Sequence, residues 1–327
     1  MTLKNYVLPE VRRSALRELL LSRRGLRLIE AHSGLSAVLA SRACLVDKGT
    51  EFDGLWVSSL TSSAVQGLPD VEMYLVERRL DLLQEICASS HKPVVVDGDT
   101  GGDQTHFKYL VSRLETLGVS AVVIEDKCHP KRNSLAAAPQ HLEDPAVFAA
   151  KIALGKGVVR SPDFMIFARL ESLIAGNTID DALSRARTYI DAGADGILIH
   201  SKATTPEPIF AFADQYRELA RHDGSRVPLI CVPTTYNSVT AEELFRRGVQ
   251  IVIHANHLLR ASHYAMVRVC ESLLMHDRST EVDNICSPIV TLLDQLGYSE
   301  VLSDEVENAS TADRIRDHLS LRPPRCV

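Results

Sequence analysis

Two apolar runs end in acids. Val94-Val95-Val96 leads into Asp97-Gly98-Asp99, and Val122-Val123-Ile124 leads into Glu125-Asp126-Lys127. Such β-branched runs read as buried strands, and an unpaired carboxylate is too costly to leave in an apolar layer. Carboxylates converging from neighbouring strand ends would hold a hard cation such as magnesium, directly or through water. Asp97 and Asp99 lie two apart, so strand alternation points both to one face, and Glu125 joins them from the next strand. Each acid taken alone reads as an N-cap or a surface group; the three together point to a metal.

Arg169 and Glu171 close a further run from Met165, and His200 closes one from Gly196. A guanidinium there suits a carboxylate or phosphoryl group through its bidentate fork, or forms a structural ion pair with Glu171 or Glu30. His200 alone reads as a hydrogen-bonded structural residue. The hydroxyl-rich stretch Trp56–Ser63 is either an ordinary serine turn or a set of backbone N–H groups offered to an anion. Asp70 reads as the N-cap of a helix beginning near Val71. Cys128 and His129 have the composition of a nucleophile pair, but adjacent loop residues usually point apart.

Eight strands must position these groups: 26–32, 55–59, 94–99, 121–126, 165–171, 196–200, 229–234 and 250–255. Helical periodicity falls between them, over 71–89, 106–117, 145–154, 178–192, 207–222 and 240–248, with a helix over 9–24 before the first strand. After the last strand come helices over 257–275 and 282–296. Alternating strands and helices imply parallel pairing with right-handed crossovers, and eight units favour a closed (β/α)8 barrel over an open doubly wound sheet. Residues 1–297 then form one barrel domain, and 298–327 a polar extension, peripheral or partly disordered. The proline-rich stretch 128–139 follows the fourth strand and reads as a mobile active-site loop.

The bulk properties agree with a globular protein that has a large core. The 327 residues are 45% hydrophobic and 24% charged, with net charge −6, which argues against a nucleic-acid surface. The seven cysteines include no CxxC pair and point to a reducing cytoplasm. Neither a signal-peptide core nor a run of membrane-spanning length is visible.

The stretch Glu125-Asp-Lys-Cys-His-Pro-Lys-Arg-Asn-Ser134 matches the EDKxxxxxNS signature of the phosphoenolpyruvate mutase family, in the isocitrate lyase/phosphoenolpyruvate mutase superfamily. The resemblance continues through Glu30-Ala-His-Ser-Gly-Leu-Ser36, Phe52–Leu60, Gly67-Leu-Pro-Asp70, Asp97-Gly-Asp-Thr-Gly-Gly102 and Ala168-Arg-Leu-Glu171. It resumes at Asp195–Lys202, Val232–Asn237 and Ala255–Arg260, and so spans about residues 25 to 290. It implies magnesium-dependent interconversion of phosphoenolpyruvate and phosphonopyruvate, the carbon–phosphorus bond-forming step that opens phosphonate biosynthesis. It also implies a barrel whose last helix is swapped between subunits, usually in a dimer of dimers, working beside an enzyme that consumes phosphonopyruvate. On the same basis Asp97 would touch magnesium, with Asp99 and Glu125 holding its waters and Asp70 nearby. Ser58, Ser59 and Leu60 would take the substrate carboxylate. Arg169 and Asn133 would hold the phosphoryl group, helped by Lys131, with His200 beside the migrating group. Ser134 would touch substrate, and Trp56 and Leu135 would form apolar walls.

Related activities share the scaffold. The isocitrate and methylisocitrate lyases carry a Lys-Arg-Cys-Gly-His loop; in register, Lys131-Arg132 meets that Lys-Arg pair and Asn133 stands at the cysteine, leaving Cys128 five residues early. Phosphonopyruvate hydrolase usually has Thr near the position of Asn133, so Asn133 favours the mutase. The chain departs from the common DGDTGYGN pattern in reading Gly102-Asp103-Gln104.

Overall fold

The computed structural model describes residues 6–73 and 76–320. These fall into two compact units, one over Tyr6–His263 and one from Tyr264 onward. In the first unit eight parallel strands close into a barrel: β1 (Leu26–Glu30), β2 (Gly54–Val57), β3 (Val94–Asp97), β4 (Ala121–Glu125), β5 (Met165–Leu170), β6 (Gly196–Ile199), β7 (Leu229–Cys231) and β8 (Ile251–His254). Each strand pairs with its sequence neighbours and β8 pairs with β1, so no edge is left open. The expected (β/α)8 barrel is borne out.

Side-chain alternation divides the core in two. Val94, Val96, Val122, Ile124 and Ile166 pack outward against the helical ring. Leu26, Leu28, Trp56, Val95, Ala121, Val123, Met165, Phe167, Leu198, Ile251 and Ile253 fill the barrel, joined by Leu16 of the helix Pro9–Ser22. The next inward positions along these strands are Glu30, Asp97, Glu125, Arg169 and His200. Parity alone therefore aims all five toward the barrel axis at its C-terminal mouth. Glu30 accepts from the backbone N–H groups of Leu258 (3.0 Å) and Leu259 (3.2 Å), capping the first turn of the helix that follows β8.

Three boundaries differ from the sequence reading. The helix expected from Val71 is described over Val76–Ser89, and 70–72 instead form a turn with Glu72 at φ +57°. The helix expected over 282–296 is a 3₁₀ turn (Thr280–Val282) and a short helix (Ile289–Gln295), separated by Pro288; proline lacks the N–H a continuous helix needs and restricts Ser287 before it. Residues Tyr298–Ser320, read as a polar extension, form a 23-residue helix. In this second unit Met266, Leu274, Met275, Ile289 and Val306 are exposed. Among the described residues no helix is long and apolar enough to cross a membrane.

Candidate active site

At the mouth, the ends of β4, β5 and β6 bring together a buried polar network. Arg169 Nε donates to Glu171 Oε1 (2.6 Å), and Arg169 Nη2 donates to Ser134 Oγ (2.9 Å). His200 Nδ1 stands 2.8 Å from both Arg169 Nη2 and Glu171 Oε1, and serves one at a time according to its tautomer. Burial and the Arg169 charge lower the His200 pKa, so the ring is neutral at neutral pH. Burial would raise the Glu171 carboxyl, but Arg169, His200 and Lys127 outweigh it and hold it well below the carboxylate range. Of the two partners open to Arg169, Glu171 is the real one; Glu30 is taken by His32 and the helix cap. Arg169 Nη1 reaches Asp97 only at 3.9 Å, so this edge of the fork is left to meet a ligand.

The acids are arranged differently from the strand-alternation reading. β3 stops at Asp97, whose Oδ1 accepts from the Asp99 N–H (3.2 Å), and Asp99 sits at φ +55°. A turn, not period-two geometry, therefore places Asp99. Gly98 is required there: a Cβ would meet Val122 Cγ2 at 2.8 Å and the Val123 carbonyl at 3.0 Å. Asp97 Oδ2 accepts from Ser59 Oγ (2.9 Å) and Ser59 N–H (3.3 Å). Asp99 pairs with Arg79 on one oxygen and with Lys131 Nζ (2.8 Å) on the other. Burial alone would raise the Asp99 carboxyl; Lys131 and Arg79 override it and hold the group ionised.

Glu125 is the opposite case. Both of its oxygens are buried and accept no hydrogen bond, with Arg169 Nε at 3.5 Å and Lys127 Nζ at 3.7 Å. Burial pushes its pKa up to about 7 against the pull of Arg169 and Lys131. Five buried carboxylates (Asp70, Asp97, Asp99, Glu125, Glu171) face four buried cations (Arg79, Lys127, Lys131, Arg169). Among the described residues no three acidic, histidine or cysteine side chains come close enough to hold a metal ion between them. The Glu125 oxygens, which accept no hydrogen bond, and the density of carboxylates around them do fit a cation held largely through water.

The loop after β4 closes over this floor. Lys127 Nζ donates to the Arg132 carbonyl (2.9 Å) and to Ser134 Oγ (2.6 Å), so the EDKxxxxxNS stretch fastens onto itself. Ser134 Oγ in turn donates to Glu171 Oε2 (2.7 Å). Asp126 points away, accepting from Glu171 N–H (2.8 Å), Tyr189 OH (2.8 Å) and Arg185 (3.1 Å). Lys131 Nζ lies among Ser59 Oγ (2.7 Å), Asp99 (2.8 Å) and Asp70 (3.0 Å), and Asn133 Nδ2 donates to Asp70 (2.7 Å). Asp70 is thus a buried anchor for the loop and not a helix cap.

A cavity of about 60 Å³ lies between floor and loop. Of the residues expected at the site, Trp56, Ser58, Ser59, Leu60, Asp70, Asp97, Lys131, Asn133, Ser134, Leu135, Arg169 and His200 line it; Asp99 and Glu125 stand behind this wall. Cys128 does not line it: its N–H donates to the His141 carbonyl (2.9 Å), and burial with Glu143 raises its thiol pKa. The sequence reading misses Arg79, Glu72 and Asn256. Buried Asn256 Oδ1 and Trp56 Nε1 lack hydrogen-bond partners in the cavity wall. Arg79 lies on a helix outside every block of the resemblance, and Glu72 lies in a turn two residues past Gly67–Asp70; Asn256 lies within the block Ala255–Arg260 just after β8, where nothing in the sequence singles it out.

An anion-binding fork, a reserve of carboxylates and a closing loop at the C-terminal mouth define a barrel enzyme acting on a small anionic substrate. The comparisons narrow that class. A family model described as phosphoenolpyruvate phosphomutase matches residues 16–274. A phosphoenolpyruvate phosphomutase of Tetrahymena pyriformis is 38% identical over 241 residues, 73% of this chain and 76% of the relative. The crystal structure of the phosphoenolpyruvate phosphomutase of Streptomyces platensis subsp. rosaceus is similar with TM-score 0.83 and 37% identity, covering 90% of this chain and 98% of that one. A phosphonopyruvate hydrolase in complex with oxalate and Mg++ is similar with TM-score 0.78 and 32% identity, over 90% and 98% of the two chains. The chain belongs to the phosphoenolpyruvate phosphomutase family, and the reading as an enzyme of that family is borne out.

Proposed function

We propose that the chain interconverts phosphoenolpyruvate and 3-phosphonopyruvate, moving the phosphoryl group between the enolate oxygen and C3 of one pyruvate skeleton. The observation that carries this reading is the convergence of Arg169, His200, Lys131, Asn133 and Ser134 on one cavity beside Asp70 and Asp97. A loose, metaphosphate-like transfer needs fixed positive groups and dryness more than a strong base. The free edge of Arg169 holds the phosphoryl oxygens. Lys131 Nζ and Asn133 Nδ2 exchange Asp70 for the same oxygens when substrate enters. Neutral His200 stands beside the group in flight without repelling or protonating it. Ser58, Ser59 and Leu60 receive the carboxylate end, and Trp56 and Leu135 supply the apolar walls. The loop over the cavity keeps out water that would otherwise capture the phosphoryl group.

Asp97, Asp99, Glu125 and Asp70 are the residues to hold magnesium, directly or through water. When bound, the ion supplies Lewis-acid stabilisation of the pyruvate enolate. Magnesium is expected to raise the melting temperature of the wild-type protein and to leave Asp97→Ala unmoved.

Phosphorus NMR on phosphonopyruvate with the protein and magnesium tests the assignment. Phosphoenolpyruvate is the expected product. Phosphate and pyruvate in its place would make the chain a hydrolase, the second reading, which rests on the similar hydrolase structure. The exposed apolar side chains of the second unit support assembly into a homo-oligomer by helix exchange; a monodisperse monomer in sedimentation equilibrium at micromolar concentration would refute it.

A further inference from the structure

Glu72 stands out because it is strained and fully engaged. It is a non-glycine residue at φ +57° with a side chain only 8% exposed. Such a conformation persists only where its surroundings hold it, and it invites a functional explanation. One oxygen, Oε1, accepts from the Thr100 N–H (3.0 Å) and Thr100 Oγ1 (2.8 Å). The other, Oε2, accepts from the Lys131 backbone N–H (2.9 Å) and lies 3.0 Å from His129 Nδ1. One carboxylate therefore joins the turn after β3 to the loop after β4.

The two sides of this clip are held differently. Thr100 is buried, and the turn it sits in is gripped from behind by Lys151, whose Nζ donates to the carbonyls of Thr100 (2.9 Å) and Gly102 (2.8 Å). It is the fixed side. Residues 128–139, the loop over the cavity, are the other side. Their other side-chain ties to the mouth run through Lys131 Nζ, Asn133 and Ser134, bonded to Asp70, Asp99, Ser59, Glu171 and Arg169. Those groups are the ones that must let go of one another to take up substrate. Glu72 uses only a backbone N–H and the outward His129, so its hold survives substrate entry.

We infer that Glu72 is the latch of the active-site loop, a positioning residue that decides whether the phosphoryl group is recaptured by the pyruvate enolate or lost to water. The inference rests on the mutase reading. With the latch broken the loop still visits the closed state, but water enters while the group is in transit. Water then adds to phosphorus as the C–P bond of phosphonopyruvate breaks. The electron pair goes to the pyruvate enolate, which takes a proton at C3, and the products are phosphate and pyruvate. Glutamine cannot replace Glu72, because its amide nitrogen would face a backbone N–H on one side or the other.

Two measurements test the latch in Glu72→Ala. The first is the rate of tryptic cleavage after Arg132, an exposed residue of the loop, followed in the native protein without substrate. It is expected to rise about tenfold, the equivalent of one charge-assisted hydrogen bond. The second is the ratio of phosphate to phosphoenolpyruvate formed from phosphonopyruvate, read by phosphorus NMR; it is expected to rise while unfolding by urea stays cooperative. His129→Ala removes an exposed contact of the same clip and should move both readouts the same way by less, which keeps the test open if Glu72→Ala fails to fold. Unchanged cleavage and an unchanged product ratio in a folded variant would overturn the latch. A wild-type protein that makes no phosphoenolpyruvate would overturn the mutase reading instead, and the cleavage rate would still judge the latch.

Discussion

Glu125 and Lys131 lie in one motif and serve one site, yet they reach it by different physics. Glu125 ends β4, and the alternation that buries Ala121 and Val123 inside the barrel aims it inward whatever its neighbours are. Lys131 lies in a loop, and its direction is set by Glu72 on its backbone and by Asp70, Asp99 and Ser59 on its ammonium. The floor is positioned by covalent geometry and the lid by hydrogen-bond partners. A change in the floor should therefore remove chemistry without moving much, whereas a change among the lid's partners should move the lid itself.

The largest effect should come from the floor. Arg169→Lys keeps the charge but cannot meet Glu171, Ser134 and a ligand at once, as the guanidinium does. A fall in kcat/KM of about 10³-fold is expected, with the thermal unfolding profile retained. A loss below tenfold would mean that charge alone suffices, and the distinction between a geometric floor and a partnered lid would weaken. Asp99→Ala probes the boundary between the two regions. It removes the buried carboxylate that both Arg79 and Lys131 pair with, so it should cost stability of about 3 kcal/mol as well as activity. Urea denaturation measures this, and a variant as stable as wild type would show that Asp99 holds nothing in place.

The same comparison explains what the sequence can reveal. Strand parity can be read from apolar runs, so the inward positions of Asp97, Glu125, Arg169 and His200 follow from the order of residues alone. The family signature fixes Asn133 and Ser134 and encloses Lys131 at one of its variable positions, and the fold brings all three to the cavity. Asp99 reaches the expected place by an unexpected route: the chain leaves the strand at Asp97 and turns through Gly98 into a left-handed residue. Glu72 and Arg79 are not legible, because their roles arise from contacts with residues 28 and 20 positions away in sequence, and no local periodicity encodes those. Asp70 reads as a cap since Pro-Asp before an apolar stretch usually is one; only the return of the loop over it shows the anchor.

The smallest effect is expected at Cys128, and it sharpens the boundary of the lid. Cys128 precedes the part of the loop that meets the cavity, and its backbone is tied to His141, near the short antiparallel bridge between Lys127 and Leu142. Its thiol pKa is raised by burial and by Glu143, so it rests as a neutral thiol, poorly suited to attack. Serine preserves the size and keeps the backbone bond. Cys128→Ser should therefore hold kcat/KM within about twofold, the range of a substitution that touches no critical contact. A loss of about 10³-fold would assign the thiol to the reaction as nucleophile or acid. The chemistry of the loop would then begin at its first residue instead of at Lys131.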